Sequence, residues 1–579
     1  MLQQSVARFA PFALFLALAG CETTPPPGAS GHPDDQGSAP VASAPAALSA
    51  PPLSTQGPLP LPSSTATAPW PGPFLIVMAR STGIYAEPAK TTKLGYAKEG
   101  AKLAVQSLPV SKAGCSAGWY QLVSGGYICG NEGTLNANDE RVKHPPKQAN
   151  VEGVLPYVYA RNVSNGTPLY RSVPTREQIK KYEPYLYKDK EAEEKKAEAP
   201  PVAAPAPTLD EATRRAREDQ ARRMAALRDA QRAMLGEEAA RKLEEEESQE
   251  RGKKRDQPAV AAANDDPDAG APQQWWEQDK PDLSKLKLGD LAQDADDVIS
   301  GRMAKGFYVA IERTFNWSGR TWYRTTQGQI APADRFVQVA GPEFHGVELG
   351  TDLKLPVAWA YGASKTKPLY TVDAEHGTAK SSGTIAHHAV VALTGKELQI
   401  GKATYLETVD GTWVKQADVR ATKPGAPPAD IGPDELWIDV NLSTQSLVLF
   451  RGTEAIYATL ISSGKESDDK EKDHRSPLGE YRIREKHVTT IMDGDGTAAG
   501  DLPYSIEAVP YVMYFHKAYA LHGAFWHSNF GVRMSHGCVN LAPLDAKYLF
   551  FHSDPPVADG LSGSLSSSDR PGSRVVIHE

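Results

Sequence analysis

Alternating apolar and polar positions dominate the chain. Between Asp434 and Ser463, LWIDVN, a turn at Leu442 to Gln445, SLVLF and, past Gly452, AIYATLISSG read as β-hairpin. The same periodicity recurs upstream as an internal repeat. Residues 155 to 170, LPYVYARNVSNGTPLY, align without gaps to 355 to 370, LPVAWAYGASKTKPLY, and 75 to 88, LIVMARSTGIYAEP, make a looser third copy. A strand-turn-strand follows each copy: Trp119 to Ile128, Trp322 to Ile330 and Tyr405 to Val414. Pairs of such hairpins around glycine turns predict small β-barrels at 74–140, 151–345 and 350–425. The second unit is interrupted by an insertion at about 190–275, whose core, Leu209 to Arg255, is dense in Arg, Glu, Asp and Ala. Ala, Arg and Glu favour helix, and opposite charges three and four apart support it. Met224, Leu227, Met234 and Leu235 give only a narrow apolar stripe, so the insertion predicts a solvated helix that a protein partner could use.

Length and charge narrow the classes. The 579 residues suggest about three or four domains, and a net charge of -8 argues against nucleic acid as a partner. At the start, Arg8 precedes the apolar run FAPFALFLALA and then Gly20 and Cys21. That run is too short to span a bilayer as a mature helix and predicts a cleaved export signal at 1–21. Residues 22–73 are rich in Pro, Ala, Ser and Thr, with too few aliphatic clusters to offset their ordering entropy, which predicts a disordered tether.

The chemistry concentrates in LHGAFWHSNFGVRMSHGCVN, Leu521 to Asn540. Cys538 is the candidate nucleophile and His522 its base, since an imidazole that takes the thiol proton raises the reactive fraction. Gly523 has no side chain, so its carbonyl could hold the imidazole in one tautomer, as an Asp does in a triad. His536 and Gly537 precede the thiol and permit the amides of Gly537 and Cys538 to converge on one oxygen. Two His and a Cys could instead hold zinc, with His527 or His516 as a further ligand, although no C-x-x-C or H-E-x-x-H spacing accompanies them. A buried inert Cys is the other reading. Asp493, Asp495 and Asp501 hint at a calcium loop but lack its full spacing and terminal Glu.

The pattern H-G, a short aromatic and glycine-containing spacer, then S-H-G-C-x-N resembles the active-site signature of the L,D-transpeptidase catalytic domain, a family of cysteine enzymes that remodel peptidoglycan. The likeness extends to SPLGEYRI, 476 to 483, and VPYVMYFHKAYALH, 509 to 522, and covers roughly 433–579; Asn540 stands where many members have Arg. It implies a mainly β chain ending in an L,D-transpeptidase-type β-sandwich, with no cofactor or metal. It also implies attack by Cys538 on peptidoglycan stem peptides, with Ser535, Asn540, Tyr504 and Trp526 as candidate substrate contacts. Hydrolysis of the same acyl-enzyme, attachment of a protein to the wall, or a non-catalytic wall-binding lipoprotein are the alternatives. Leu18-Ala19-Gly20-Cys21 resembles the bacterial lipobox, which implies a lipid anchor at Cys21 and a place on the periplasmic face of the envelope; Glu22 favours the outer membrane. The repeat units resemble bacterial Src-homology-3-like domains. With Cys21 lipidated and Cys538 catalytic, Cys115 and Cys129 remain, and export to an oxidising compartment makes a disulfide between them the expectation.

Overall fold

The computed structural model describes residues 70–187, 274–276, 278, 281–470, 472–495 and 502–579. The export signal, Cys21, nearly all of the tether, the core of the charged insertion and Asp501 lie outside them. Two compact units divide the chain, one of Met1–Glu183 with Trp275–Glu579 and one of Pro184–Gln274. The first holds every strand among the described residues.

The C-terminal part is a β-sandwich. One sheet has six strands, in the order Val347–Glu348, Glu454–Leu460, Ser446–Arg451, Leu436–Asn441, Arg574–His578 and Gly479–Arg482. Leu436–Asn441 lies at its centre, buried along almost its whole length, which is why it reads as a nearly continuous apolar run. The polar residue it carries inside, Asp439, accepts from Gly425 N–H at 2.9 Å and lies 2.9 Å from His578 Nε2. The facing strands are Glu485–Gly494, Tyr504–His516, Tyr519–Gly523 and Val539–Leu541. Ile438, Leu447 and Leu449 from the first sheet pack against Met513, Leu521 and Val539 from the second. At about 25 cal/mol for each Å² of apolar surface buried, this layer is the main source of the domain's stability. The helix Pro543–His552 closes one side. Proline at its first turn costs nothing there, because that N–H has no partner within a helix. Tyr548, Leu549 and Phe550 deliver the helix to the core.

The upstream repeat is a repeat of structure. Trp119 pairs with Cys129, Trp322 with Pro332 and Tyr405 with Lys415, so all three hairpins have one register. Each turns at a glycine in the left-handed region, Gly125, Gly328 and Gly411, at φ +95, +81 and +81. Only glycine takes that conformation without strain. A single 3-10 turn follows each hairpin, at Gly130–Glu132, Ala333–Arg335 and Gln416–Asp418. The second copy joins chain from both sides of the insertion: Ile299–Met303 pairs antiparallel with Thr167–Tyr170.

Closed barrels, expected from the sequence, are not what these units form. Among the described residues the strand pairings make open sheets, and strands of the first two units continue into the catalytic sheet. Gly95 and Tyr96 of the first unit pair with Ser564 and Gly563, and Tyr308 of the second pairs in parallel with Ile506. An edge strand presents unpaired N–H and C=O groups, and here a neighbouring domain covers them. The third unit, a seven-stranded sheet, docks through Arg420, whose Nε donates to Gly531 O at 3.0 Å. Cys115 and Cys129 form a disulfide across the hairpin of the first unit, with Cα atoms 5.8 Å apart.

Candidate active site

Two parallel strands bring the thiol and the imidazole to one face. Tyr519–Gly523 pairs in parallel with Val539–Leu541, with Leu521 opposite Val539, His522 opposite Asn540 and Gly523 opposite Leu541. Side chains alternate across a sheet and paired residues share a side. His522, Asn540 and, one step before the strand, Cys538 therefore project from the same face. His522 is 3 % exposed, and its Nδ1 lies 3.4 Å from Gly523 O. A neutral imidazole with its proton on Nδ1 turns its Nε2 lone pair outward as a base. Trp526 stacks on the His522 ring at 5.7 Å and so limits its rotation. Cys538 Sγ donates to Ala518 O at 3.8 Å, and among the described residues no hydrogen bond joins the thiol to His522.

The turn before the thiol is braced from three directions. Gly537 sits at φ +109, and a Cβ there would overlap the Tyr519 ring, so both backbone and space call for glycine. Ser476 Oγ donates to Gly537 O at 2.8 Å and accepts Gly464 N–H at 3.1 Å. Ser535 Oγ accepts Gly537 N–H at 3.2 Å and donates to Cys538 O. The Gly537 amide, expected to serve an oxyanion, donates to Ser535 Oγ in this structure. In a trans peptide N–H and C=O point oppositely. With Gly537 O turned to Ser476, the Cys538 N–H points the other way, and it is the amide left for an oxyanion. Ser463 O accepts from both Met534 N and Ser535 N, at 2.8 and 2.9 Å, and Lys465 N donates to Ser535 O at 2.9 Å, fixing this loop against 461–465.

Burial sets the charges. It pushes the Cys538 thiol up to about 11, with the Ala520 amide offsetting only part of the shift. Burial likewise lowers His522 to about 4 against the opposing pull of the Gly523 carbonyl. His536, lowered to about 3 by burial and then by His474 and Lys465, is neutral, and its Nε2 is buried without a hydrogen-bond partner. His527 is lowered to about 4 by burial and lies 3.0 Å from the Asn540 amide. Asn540 is therefore engaged with His527 inside the site. The Tyr504 ring faces His536 at 6.4 Å, and burial raises the phenols of Tyr504 and Tyr514. All the residues singled out around the thiol thus gather at one locality, with Tyr514, Tyr519, Ser476 and Gly464 added. Ser476, Tyr514 and Tyr519 carried a signal, since they lie in the SPLGEYRI and VPYVMYFHKAYALH stretches; Gly464 carried none, because its role comes from contacts distant in sequence.

Among the described residues no three His, Cys, Asp or Glu side chains converge as a metal site. The zinc reading of Cys538 with His522, His527 or His516 has no such cluster to support it. Asp495 accepts from Leu288 N–H at 2.7 Å.

Comparison with known proteins finds a family match over this part of the chain. Residues 435–577 match the family model of the L,D-transpeptidase catalytic domain. A Bacillus subtilis (strain 168) protein named as a candidate L,D-transpeptidase, YciB, is 26% identical over 166 residues, covering 26% of this chain and 77% of that protein. Among solved structures, a mutant Enterococcus faecium L,D-transpeptidase is 23% identical over 25% of this chain and 50% of its own, with a TM-score of 0.19. An L,D-transpeptidase from Mycobacterium tuberculosis H37Rv is 19% identical over 32% of this chain and 77% of its own, with a TM-score of 0.18.

Proposed function

From the L,D-transpeptidase catalytic domain carried by residues 435–577, we propose that the protein is a peptidoglycan transpeptidase working through a thioester on Cys538. The observation that carries this reading is the parallel register that sets Cys538 and His522 on one face, with the Gly523 carbonyl beside Nδ1. His522 takes the thiol proton as sulfur attacks the carbonyl on the L centre of the third stem residue. The oxyanion that forms receives the Cys538 N–H. The imidazolium then gives its proton to the nitrogen of the terminal D-Ala, which leaves, and a thioester remains. An amine from a neighbouring stem attacks that thioester, His522 takes its proton, and the thiol is restored as the cross-link between two third residues forms. Each oxyanion donor in a comparable site is worth about 2.7 to 4 kcal/mol, so the bracing of the Gly537–Cys538 peptide by Ser476 is a rate-determining investment.

Trp526 and Tyr504 would form the walls of the donor groove, with Asn540 holding His527 rather than contacting a carboxylate directly. Intact-protein mass spectrometry after mixing with a disaccharide-tetrapeptide tests the reading. A mass increase equal to the disaccharide-tetrapeptide less one D-Ala, absent from Cys538→Ala, is expected; no adduct and no product would remove it. The same reading places the chain at the periplasmic face of the envelope, tethered by lipid on Cys21 and probing the wall with its upstream units. Metabolic labelling with a fatty acid, lost in Cys21→Ser, checks the anchor.

A further inference from the structure

Three adjoining clefts open where the first two upstream units meet the catalytic sheet, with volumes of about 450, 700 and 760 Å³. They are one continuous surface: Arg324 and Gly328 line all three, Arg80 lines the first and third, and Arg171 the second and third. The chain as a whole is acidic, at -8, yet these walls collect cations. Arg80, Lys98 and Lys147 form no ion pair among the described residues. Lys98 reaches the cleft's solvent, but the walls around it lower its ammonium pKa, and no carboxylate offsets that cost. The walls hold four acids, Glu99, Glu312, Asp493 and Glu507, against eight Arg and Lys. Glu312 is paired with Arg324 at 2.8 Å. Glu507, which accepts Ala310 N–H at 3.2 Å, is pushed up to about 7 by burial.

The lining also offers uncharged polar groups, including Gln148, Thr326, Gln327 and Thr490, beside apolar Pro146, Ile491 and Ala508. Such a wall offers hydrogen bonds to amides and sugar hydroxyls beside the cationic positions. A polymer of phosphates would call for cations in series, whereas mixed cation, amide and hydroxyl contacts suit a glycan bearing peptides with free carboxylates. The third part of the cleft lies beside the catalytic pair: Tyr308 lines it, and its ring is 6.5 Å from that of Trp526, which stacks on His522.

We propose that this cleft binds an anionic peptidoglycan strand through its stem carboxylates, with Arg80, Lys98 and Lys147 as the principal cations, so that a stem extends from it to Cys538. The proposal rests on the transpeptidase reading above. It would explain why strands of both upstream units are built into the catalytic sheet: the two units supply most of the residues that line the cleft.

The test uses full-length Cys538→Ala protein, which isolates binding from turnover, and solubilised glycan strands carrying tetrapeptide stems. Replacing Arg80, Lys98 and Lys147 together by Ser is expected to weaken binding about tenfold or more and to flatten its salt dependence. Strands with amidated stem carboxylates are expected to bind the Cys538→Ala protein with a similar loss. All three side chains are exposed, and if the triple variant melts early, Arg80→Ser alone is read, with about a threefold loss expected. Unchanged affinity in the folded variant overturns the proposal. Tighter binding of inorganic polyphosphate than of the strand, lost in the same variant, also overturns it, by assigning the cleft to a phosphate polymer. Acylation of Cys538 in the unaltered protein by a carbapenem is measured separately and reports on the proposed reaction alone.

Discussion

The half-buried thiol makes a prediction that separates two kinds of cysteine site. With Cys538 near 11 and His522 near 4, the resting pair is a neutral thiol beside a neutral imidazole. Desolvation disfavours both ions, and no cation stands close enough to rescue the thiolate. At pH 7 about one thiol in ten thousand is ionised, against about one in a hundred for a thiol at 9. The rarer thiolate is the better nucleophile, and a Brønsted slope of about 0.4 to 0.5 returns roughly sevenfold to tenfold of that hundredfold deficit. Alkylation by iodoacetamide should therefore run about tenfold slower than for an unstructured cysteine peptide at pH 7. Its logarithm should climb with unit slope from pH 6 to about 10. His522→Gln should leave that profile nearly unchanged, because the ground-state imidazole carries no charge. The same substitution should cut acylation by a stem peptide by about a hundredfold to ten-thousandfold, since only that reaction needs the base. A plateau of alkylation between pH 6 and 8, abolished in His522→Gln, would refute this reasoning and reveal a standing thiolate–imidazolium pair.

Other consequences can be checked with single substitutions. Gly537→Ala forces a Cβ into the left-handed region, at about 1 to 2 kcal/mol for the backbone alone, and pushes on the Tyr519 ring; a lower thermal midpoint and a large loss of Cys538 acylation are expected, and wild-type values of both would contradict the role given to this turn. Tyr159→Phe removes a hydroxyl that donates to Ala508 O at 2.6 Å from a ring stacked on Phe525 at 4.0 Å. Leaving that buried carbonyl unmet should cost about 1 to 3 kcal/mol, read as a lower midpoint and faster proteolysis of the second unit. Asp545, fully buried, accepts Gly346 N–H at 2.7 Å and the hydroxyls of Tyr457, at 2.7 Å, and Thr459. Burial raises its carboxyl to about 6, so the folded state holds a proton that the unfolded state has lost between pH 4 and 6. Its contribution to stability accordingly falls as pH rises through that window, by up to about 3 kcal/mol. Asp545→Asn should gain thermal stability relative to the parent between pH 4 and 7; a difference that is constant with pH would contradict the assignment.

Cys538 and His522 were legible because their relation is local: a motif of about twenty residues, folded as two adjacent strands, carries thiol, base and turn together. The hairpins were legible from alternation around glycine, and their shared register appears in sequence as the constant offset of ten between paired residues such as Trp119 and Cys129. What the pattern did not reveal depends on contacts between distant segments. Gly95 meeting Ser564 is decided by which sheet edges come together, and alternation is the same for an edge strand left open as for one covered. The capture of Gly537 N–H by Ser535 is an alternative use of the same residues that composition cannot rank. The helix Pro543–His552 was hidden because it is apolar nearly all round and so lacks the periodicity of a surface helix. The raised thiol pKa likewise comes from burial, which no spacing records.

The central claim is that Cys538 transfers the acyl group of one stem to the amine of another. The most direct measurement is product analysis by mass spectrometry after incubating the protein with disaccharide-tetrapeptide, beside Cys538→Ala. The account predicts dimers lacking one D-Ala in the first reaction and unchanged substrate in the control; tripeptide without dimer would make water the acceptor, and dimers formed equally by Cys538→Ala would contradict the account outright.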